Sequence, residues 1–407
     1  MNRAYFRQPG TVGTYLGVIL VSVTLALSAG ALMASTAVAA THITSNITTN
    51  TTWGPSGSPY LLDKQVKVVS GVTLKLLPGT QVEFNSTSGL TFYVEGSMES
   101  IGSAESPIEF TSSQAAEGKG APGQYHGINV IGSAASGRFA YTKFYYGGSG
   151  SGGYYAYGVL TAQSGASVRV EDSTFEWNAY SAIKIGEVSS AKVFESTLKH
   201  NGDGIASSTG PITIAHNKIE ENAEYGLHFN WIKTSTEPGA EVENNEITKN
   251  GSSGVYLSGY CSAATSTFPH GSLNNIYGNG PAGEYPADGS ELRTIYLCEA
   301  IHVNWDNNYW GAADLLSGLH PIYDGKFICK TLIPANYWTG AEVESGHFLG
   351  YTSFNPAKRP PGPINTGDLI IPIPYDCGDG TGGLVNYHNI YNSINVNEFS
   401  AAPFVIT

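Results

Sequence analysis

Asparagine returns at a fixed offset five times in the middle of this chain, and that recurrence limits the fold more than any other feature. Aligned on Phe175, Leu198, Ile219, Ile247 and Ile276, the sequence places Asn178, Asn201, Asn222, Asn250 and Asn279 three residues later. Two residues before each alignment point stand Ser173, Ser196, Asn217, Asn245 and Asn274. The first four repeats continue with a small residue and an aliphatic one: Ala182-Ile183, Gly204-Ile205, Gly226-Leu227 and Gly254-Val255. Alternating segments (VRVED, AKVFES, ITIAHN, AEVENN) precede the same four points. Alternation of period two marks strands rather than helices. One such unit cannot bury its apolar side alone, so the units must stack into a solenoid. Leucine-rich repeats have a similar length, but their L-x-x-L-x-L pattern is missing. Asparagine at fixed turn positions suits a left-handed backbone, and stacked Asn side chains can hydrogen-bond along the axis. The expected fold is all-β, a right-handed parallel β-helix.

Composition agrees. Gly numbers 50 and charged residues are only 13%, against roughly 25% in typical soluble proteins. Lys plus Arg is 20 against 33 Asp plus Glu, which excludes a general basic surface for nucleic acid.

The first forty residues read as an export signal. Arg3 and Arg7 supply the positive start, Leu16 to Leu27 the apolar middle, and Ala37-Val38-Ala39 the small residues that signal peptidase requires. Cleavage removes two arginines and no acid, taking the net charge from −13 to −15. The competing reading is an uncleaved anchor, since Leu16 to Ala39 is long enough to span a bilayer; only then is a membrane a partner. Secreted, periplasmic and cell-surface locations stay open, as does oligomeric state. Export gives meaning to Cys261, Cys298, Cys329 and Cys377: an even count without C-x-x-C spacing reads as two disulfides rather than a zinc site. Their pairing stays open, with sequential pairing favoured. Residues 41–355 are expected to form the solenoid, and 356–407, with a run of prolines followed by DCGDGTGG, a strap and cap over its end.

The N-x-I-x-x-N…G-I pattern resembles the repeats of the pectate-lyase-like β-helix superfold. It is similar to periplasmic β-helix proteins with carbohydrate-binding and sugar-hydrolase repeats. SGVTLKLLPGTQVEFNS near the start resembles the first coils of secreted members, and NNYWG followed by Ile322-Tyr323-Asp324 their last. The resemblance implies a fold strongly and a function weakly, because the superfold hosts lyases, hydrolases, adhesins and scaffolds. It also implies a polysaccharide groove along the strand after each small–aliphatic pair. Its outward residues here are Lys184, Ala206, His228 and Tyr256. Two long insertions follow that strand, Asn230 to Gly239 with Trp231, and Ser258 to Pro269 with Tyr260. Loops on a rigid solenoid are the usual carriers of function. Lys184, His228, Trp231 and Tyr256 are therefore the candidate ligand-binding residues, and a polysaccharide or cell-wall glycan the expected partner.

Candidate catalytic residues are less distinct. Stacked coils set equivalent residues about 4.8 Å apart. Asp172 and Glu195 would then be adjacent carboxylates, able to bind Ca²⁺, share a proton or serve a retaining glycosidase; they read equally as solvated groups on a corner. His200 and Glu221, next to Trp177, could move a proton beside a stacked sugar, or simply line the coil edge. Glu176, Lys199 and Glu220 read as a surface charge ladder, and Trp305 as packing for the end of the core. The signature residues of polygalacturonases and pectate lyases are not found, and a net charge of −15 repels polyanions at long range. No dedicated metal site or cofactor other than Ca²⁺ is expected. Three readings follow: a glycan-binding protein, a non-catalytic surface scaffold or adhesin, and a glycosidase or lyase with an atypical site.

Overall fold

In the computed structural model, residues 39–85, 89–148, 158–208, 211–230, 239–258, 269–280 and 290–295 are described, with short pieces at 303–305, 308–309, 322–325, 394–395 and 405–406. Residues 1–38, which hold most of the expected export signal of residues 1–40, lie outside these, as do Trp231, Tyr260, Trp310, all four cysteines and most of the tail. The chain winds as a parallel β-helix. Each turn contributes one strand to each of three parallel sheets, which hold nine, ten and ten strands among the described residues. We call them sheets 1, 2 and 3 in the order the chain visits them. One complete turn runs Ala166–Glu171 in sheet 1, Thr174–Glu176 in sheet 2 and Ile183–Ile185 in sheet 3. Near the far end, Val303–Asn304 pairs in parallel with Ile394–Asn395.

The alignment column forms the core. Phe110, Phe144 and Phe175 stack ring on ring at 5.2 and 4.4 Å, and Leu198, Ile219, Ile247 and Ile276 continue the column fully buried. Trp305 is also buried, as the packing reading requires.

Two polar ladders flank that core and hold the coils in register. At the corner between sheets 2 and 3, the amide oxygen of Asn222 accepts the backbone N–H of Asn201 at 3.1 Å and its Nδ2 at 3.0 Å. Asn222 gives its own Nδ2 to Leu198 O and to Asn250 Oδ1, 3.1 and 2.9 Å away. The pattern runs from Asn178 to Asn279. At the corner between sheets 1 and 2 the second ladder begins with hydroxyls, Ser173 and Ser196, and passes to Asn217, Asn245 and Asn274. It ends on Asn308, which accepts from Asn274 at 2.9 Å. Every buried amide in these rows is paired, the condition on which a polar group enters a core.

The ladder residues are not the left-handed ones, contrary to the expectation for turn asparagine. The left-handed conformation falls one residue earlier, on Asp172, Glu195, His216 and Asn244 at one corner and on Trp177, His200, Glu221 and Lys249 at the other. The reason is burial: the inward position needs an amide to satisfy the stacked backbone, so the sharp bend is taken by its outward neighbour. That bend costs an L-residue roughly 1–2 kcal/mol, and it is repeated at coil after coil.

Candidate functional site

The outward face of sheet 3 carries one column of side chains in register: Tyr93, Asn129, Thr161, Lys184, Ala206, His228 and Tyr256. Alternation places them outward because their neighbours Ile183, Ile205, Leu227 and Val255 point into the core. The chain enters this sheet through Gly204 and Gly226, where the coils approach too closely for a side chain. A Cβ on Gly226 would lie 2.6 Å from both the Gly254 carbonyl and an Ile247 methyl.

Around His228 the column becomes a network. Its Nδ1 lies 3.0 Å from Asp203 Oδ2. Its Nε2 meets the amide nitrogen of Asn230 in a very short contact, and the Ser258 hydroxyl donates to Asn230 Oδ1 at 2.6 Å. Only one neutral arrangement satisfies the sequence Ser258–Asn230–His228–Asp203. The imidazole carries its proton on Nδ1, donates to Asp203, and offers the Nε2 lone pair outward to Asn230. Asp203 is held in turn by the Tyr225 backbone N–H at 3.2 Å and the Ser181 hydroxyl at 3.4 Å. Tyr225 and Tyr256 stack at 4.7 Å, and the His228 ring meets the Tyr256 edge at 5.1 Å. Tyr256 is only 8% exposed, so the more open Tyr225 presents the apolar ring surface.

The electrostatics centre on Asp203. Burial holds the Lys184 ammonium below the usual lysine range, with Asp203 pulling the other way. Burial, reinforced by the Asp203 charge and opposed by His228, pushes the Glu224 carboxyl up. One face thus gathers a half-buried cation, two carboxylates, an oriented imidazole and a tyrosine pair. Such a set can donate to and accept from sugar hydroxyls while a ring packs on the apolar face of a pyranose. The imidazole is oriented by Asp203, and its Nε2 would serve as a general base only once a ligand displaces the Asn230 amide.

Lys184, His228 and Tyr256 therefore share one face, with Lys184 two coils from His228 and Asp203 between them; Trp231 lies outside the described residues. The sequence reading passed over Asp203, Glu224, Tyr225, Asn230 and Ser258. A signal for Asp203 was present: the turn column Ser181, Asp203, Tyr225, Ser253 holds one acid, directly before the Gly-aliphatic pair of its coil.

The catalytic candidates fare differently. Asp172, Glu195, His200 and Glu221 all occupy left-handed corners, where the backbone turns the side chain outward whatever its chemistry. Asp172 and Glu195 sit beside Tyr141, whose phenol is raised first by the Asp172 charge. Glu195 is exposed. His200 stacks under Trp177 at 4.1 Å and bridges Glu176 at 3.3 Å and Glu221 at 2.9 Å. Glu221 also pairs with Lys249, and Glu176 with Lys199. Each ionic group is committed to a neighbour, which makes this a surface ladder of the kind that contributes little to stability. Trp177 alone stays open, 44% exposed. No cluster of three or more His, Cys, Asp or Glu suited to a metal occurs among the described residues.

Residues 108–268 match the family model described as the right handed beta helix region, and the fold is a right-handed parallel β-helix. Among solved structures the chain is similar to the crystal structure of the periplasmic alginate epimerase AlgG, at 14% identity and a TM-score of 0.41, over 70% of this chain and 74% of that one. A point mutant of the same epimerase aligns at 13% identity with a TM-score of 0.46, over the same shares. No curated protein matches the chain.

Proposed function

We propose that this is an exported β-helix protein that binds extracellular or cell-surface polysaccharide across sheet 3, in the neighbourhood of Lys184, His228 and Tyr256. The observation that carries this reading is the convergence of Asp203, Asn230 and the Tyr225–Tyr256 pair on the His228 imidazole at an outward face. A packed solenoid has no structural need of such a network, since its coils are already held by the asparagine ladders. The signal-like first forty residues support export. The run of stacked coils beside the site suits an extended polymer better than a small molecule. The carboxylates Asp203 and Glu224 favour sugars rich in hydroxyl donors.

A second reading is favoured by the Asp203–His228 pair specifically: a carboxylate orients the imidazole, and a substrate that displaces the Asn230 amide from Nε2 would meet a general base. The bound glycan would then be a substrate. One experiment separates the two. The purified protein is passed over a panel of neutral and acidic polysaccharides, with retention and new reducing ends both followed, beside His228→Ala and Lys184→Ala variants. Retention that falls at least about tenfold in His228→Ala, equivalent to about 1.4 kcal/mol, supports binding at this face. New reducing ends that vanish in the same variant establish the catalytic reading. Neither signal on any polymer overturns both and leaves a surface scaffold.

A further inference from the structure

We propose that the outward face of sheet 1 is a second glycan-binding surface, selective for sugar chains that carry anionic groups, with Arg138, Arg169 and Lys192 as its contacts. This inference concerns a different face from the His228 site and does not rest on it.

The register builds the surface. In the outward column of sheet 1, Lys75 lies beside Glu99, Glu99 beside Arg138, Arg138 beside Arg169 and Arg169 beside Lys192. Two residues earlier on the same strands runs a parallel column of hydroxyls: Thr73, Ser97, Ser136, Ser167 and Ser190. Residues two apart share a face, so cations and hydroxyls stand side by side over five coils. All of these except Lys75 line an open groove of about 420 Å³.

Charge decides the occupant. The chain as a whole carries −13, yet this groove is lined by three cations, Arg138, Arg169 and Lys192, and one carboxylate, Glu99. Lys75 is paired with Glu99 at 3.1 Å. Arg138 and Arg169 share a single acid, Glu171, each placing Nη2 2.6 Å from one of its oxygens. Burial pushes the Glu171 carboxyl up, but the two guanidinium groups outweigh it and hold it below the usual carboxylate range. Each arginine spends only Nε and Nη2 on Glu171, which leaves its Nη1 donors uncommitted. Lys192 makes no ion pair among the described residues. Ser97 and Ser136 bond to one another at 2.9 Å, while the hydroxyls of Ser167 and Ser190 have no protein partner there. The unspent donors thus concentrate at the Arg169–Lys192 end.

An anionic glycan matches these features. Its charged groups repeat at intervals close to the roughly 4.8 Å coil spacing, and its remaining hydroxyls meet the serine column. A single-stranded nucleic acid would need a row of stacking rings, and the face offers only Phe194, already beneath the Arg169 guanidinium at 5.2 Å. The acidity of the rest of the chain does not prevent binding, because at physiological salt charges more than about 8 Å away are largely screened. The local excess of cations governs contact.

The test uses the purified protein on immobilised polyuronate, a sulfated glucan and a neutral glucan. In a His228→Ala background, which removes the contribution of the sheet 3 site, retention is expected on the anionic polymers, released by salt, and absent on the neutral one; which anionic polymer is held more tightly identifies the group recognised. Lys192→Gln, at an exposed and unpaired position, should weaken retention several-fold with an unchanged melting temperature. Arg138→Gln/Arg169→Gln/Lys192→Gln should abolish it, and His228→Ala should leave it intact. Equal retention on neutral and anionic polymers, indifference to Lys192→Gln and the triple substitution, or loss in His228→Ala alone would each overturn the proposal.

Discussion

Whether a side chain at a coil corner points inward or outward is settled by a single backbone residue, and that choice separates structural from accessible chemistry in this protein. Asn222 faces in and Glu221, one position earlier, faces out in the left-handed conformation. Replacing Asn222 by alanine strands the backbone N–H of Asn201, while Asn201 Nδ2 keeps the carbonyls of Phe175 and Lys199. With an unsatisfied buried group costing about 1–3 kcal/mol, Asn222→Ala should lower stability by roughly 1–3 kcal/mol, read as a drop in the urea midpoint. An unchanged midpoint would mean that the ladder follows the coils rather than holds them. The ladder itself was legible in the sequence because the amides recur at one offset. Its conformation was not, because asparagine's tolerance of the left-handed region suggested a turn role, whereas burial gave it a bonding one. The same error of level made Asp172, Glu195, His200 and Glu221 look like a chosen set, when the corner geometry would turn any residue outward there.

The strands of sheet 3 add a constraint that no single residue carries. Each is entered through a small residue because the preceding corner brings two coils into backbone contact. The Cβ of a Gly226→Ala variant would have to displace both the Gly254 carbonyl and Ile247. Overpacking of this kind costs typically about 1–3 kcal/mol, and here the strand it shifts carries His228. The expected result is therefore a lower melting temperature together with weakened glycan retention, while Gly278→Ala, which strains a left-handed residue (φ +69°) outside sheet 3, should lower the melting temperature but leave retention unchanged. Retention unaffected in Gly226→Ala would detach the site from the geometry of this strand. Alternation alone sufficed to place Lys184, His228 and Tyr256 on one face. It could not give Asp203 or Ser258, which lie on the coils before and after that of His228, although Asn230, two residues past His228 on the same coil, was within its reach. Contacts between coils depend on stacking register, and the repeats differ in length by the loops inserted between them.

Across the whole molecule, acidic groups are sorted by burial as well as by number, and the pH response should reveal this. Glu171 is held low by its arginines, so its contribution is present above the unfolded carboxyl range and is lost as pH falls. Glu83 behaves in the opposite sense. It is 8% exposed on the outward face of sheet 2, and burial, followed by the nearby Glu109 charge, raises its carboxyl above 4.5. Burial raises Glu109 too, against the pull of Lys143. A raised carboxyl means that the folded chain binds the proton more tightly than the unfolded chain does. The stability it confers is complete below the ordinary glutamate value and is lost as pH rises through the raised one. Glu83→Gln removes that titration and the repulsion of Glu109 together. Urea unfolding from acid to neutral pH should therefore show the variant gaining on the parent as pH climbs past 4.5, with the difference levelling off once the parent carboxyl is fully ionised. Parallel curves would mean that Glu83 titrates alike in both states, and that its place under the sheet 2 surface is open to water in solution.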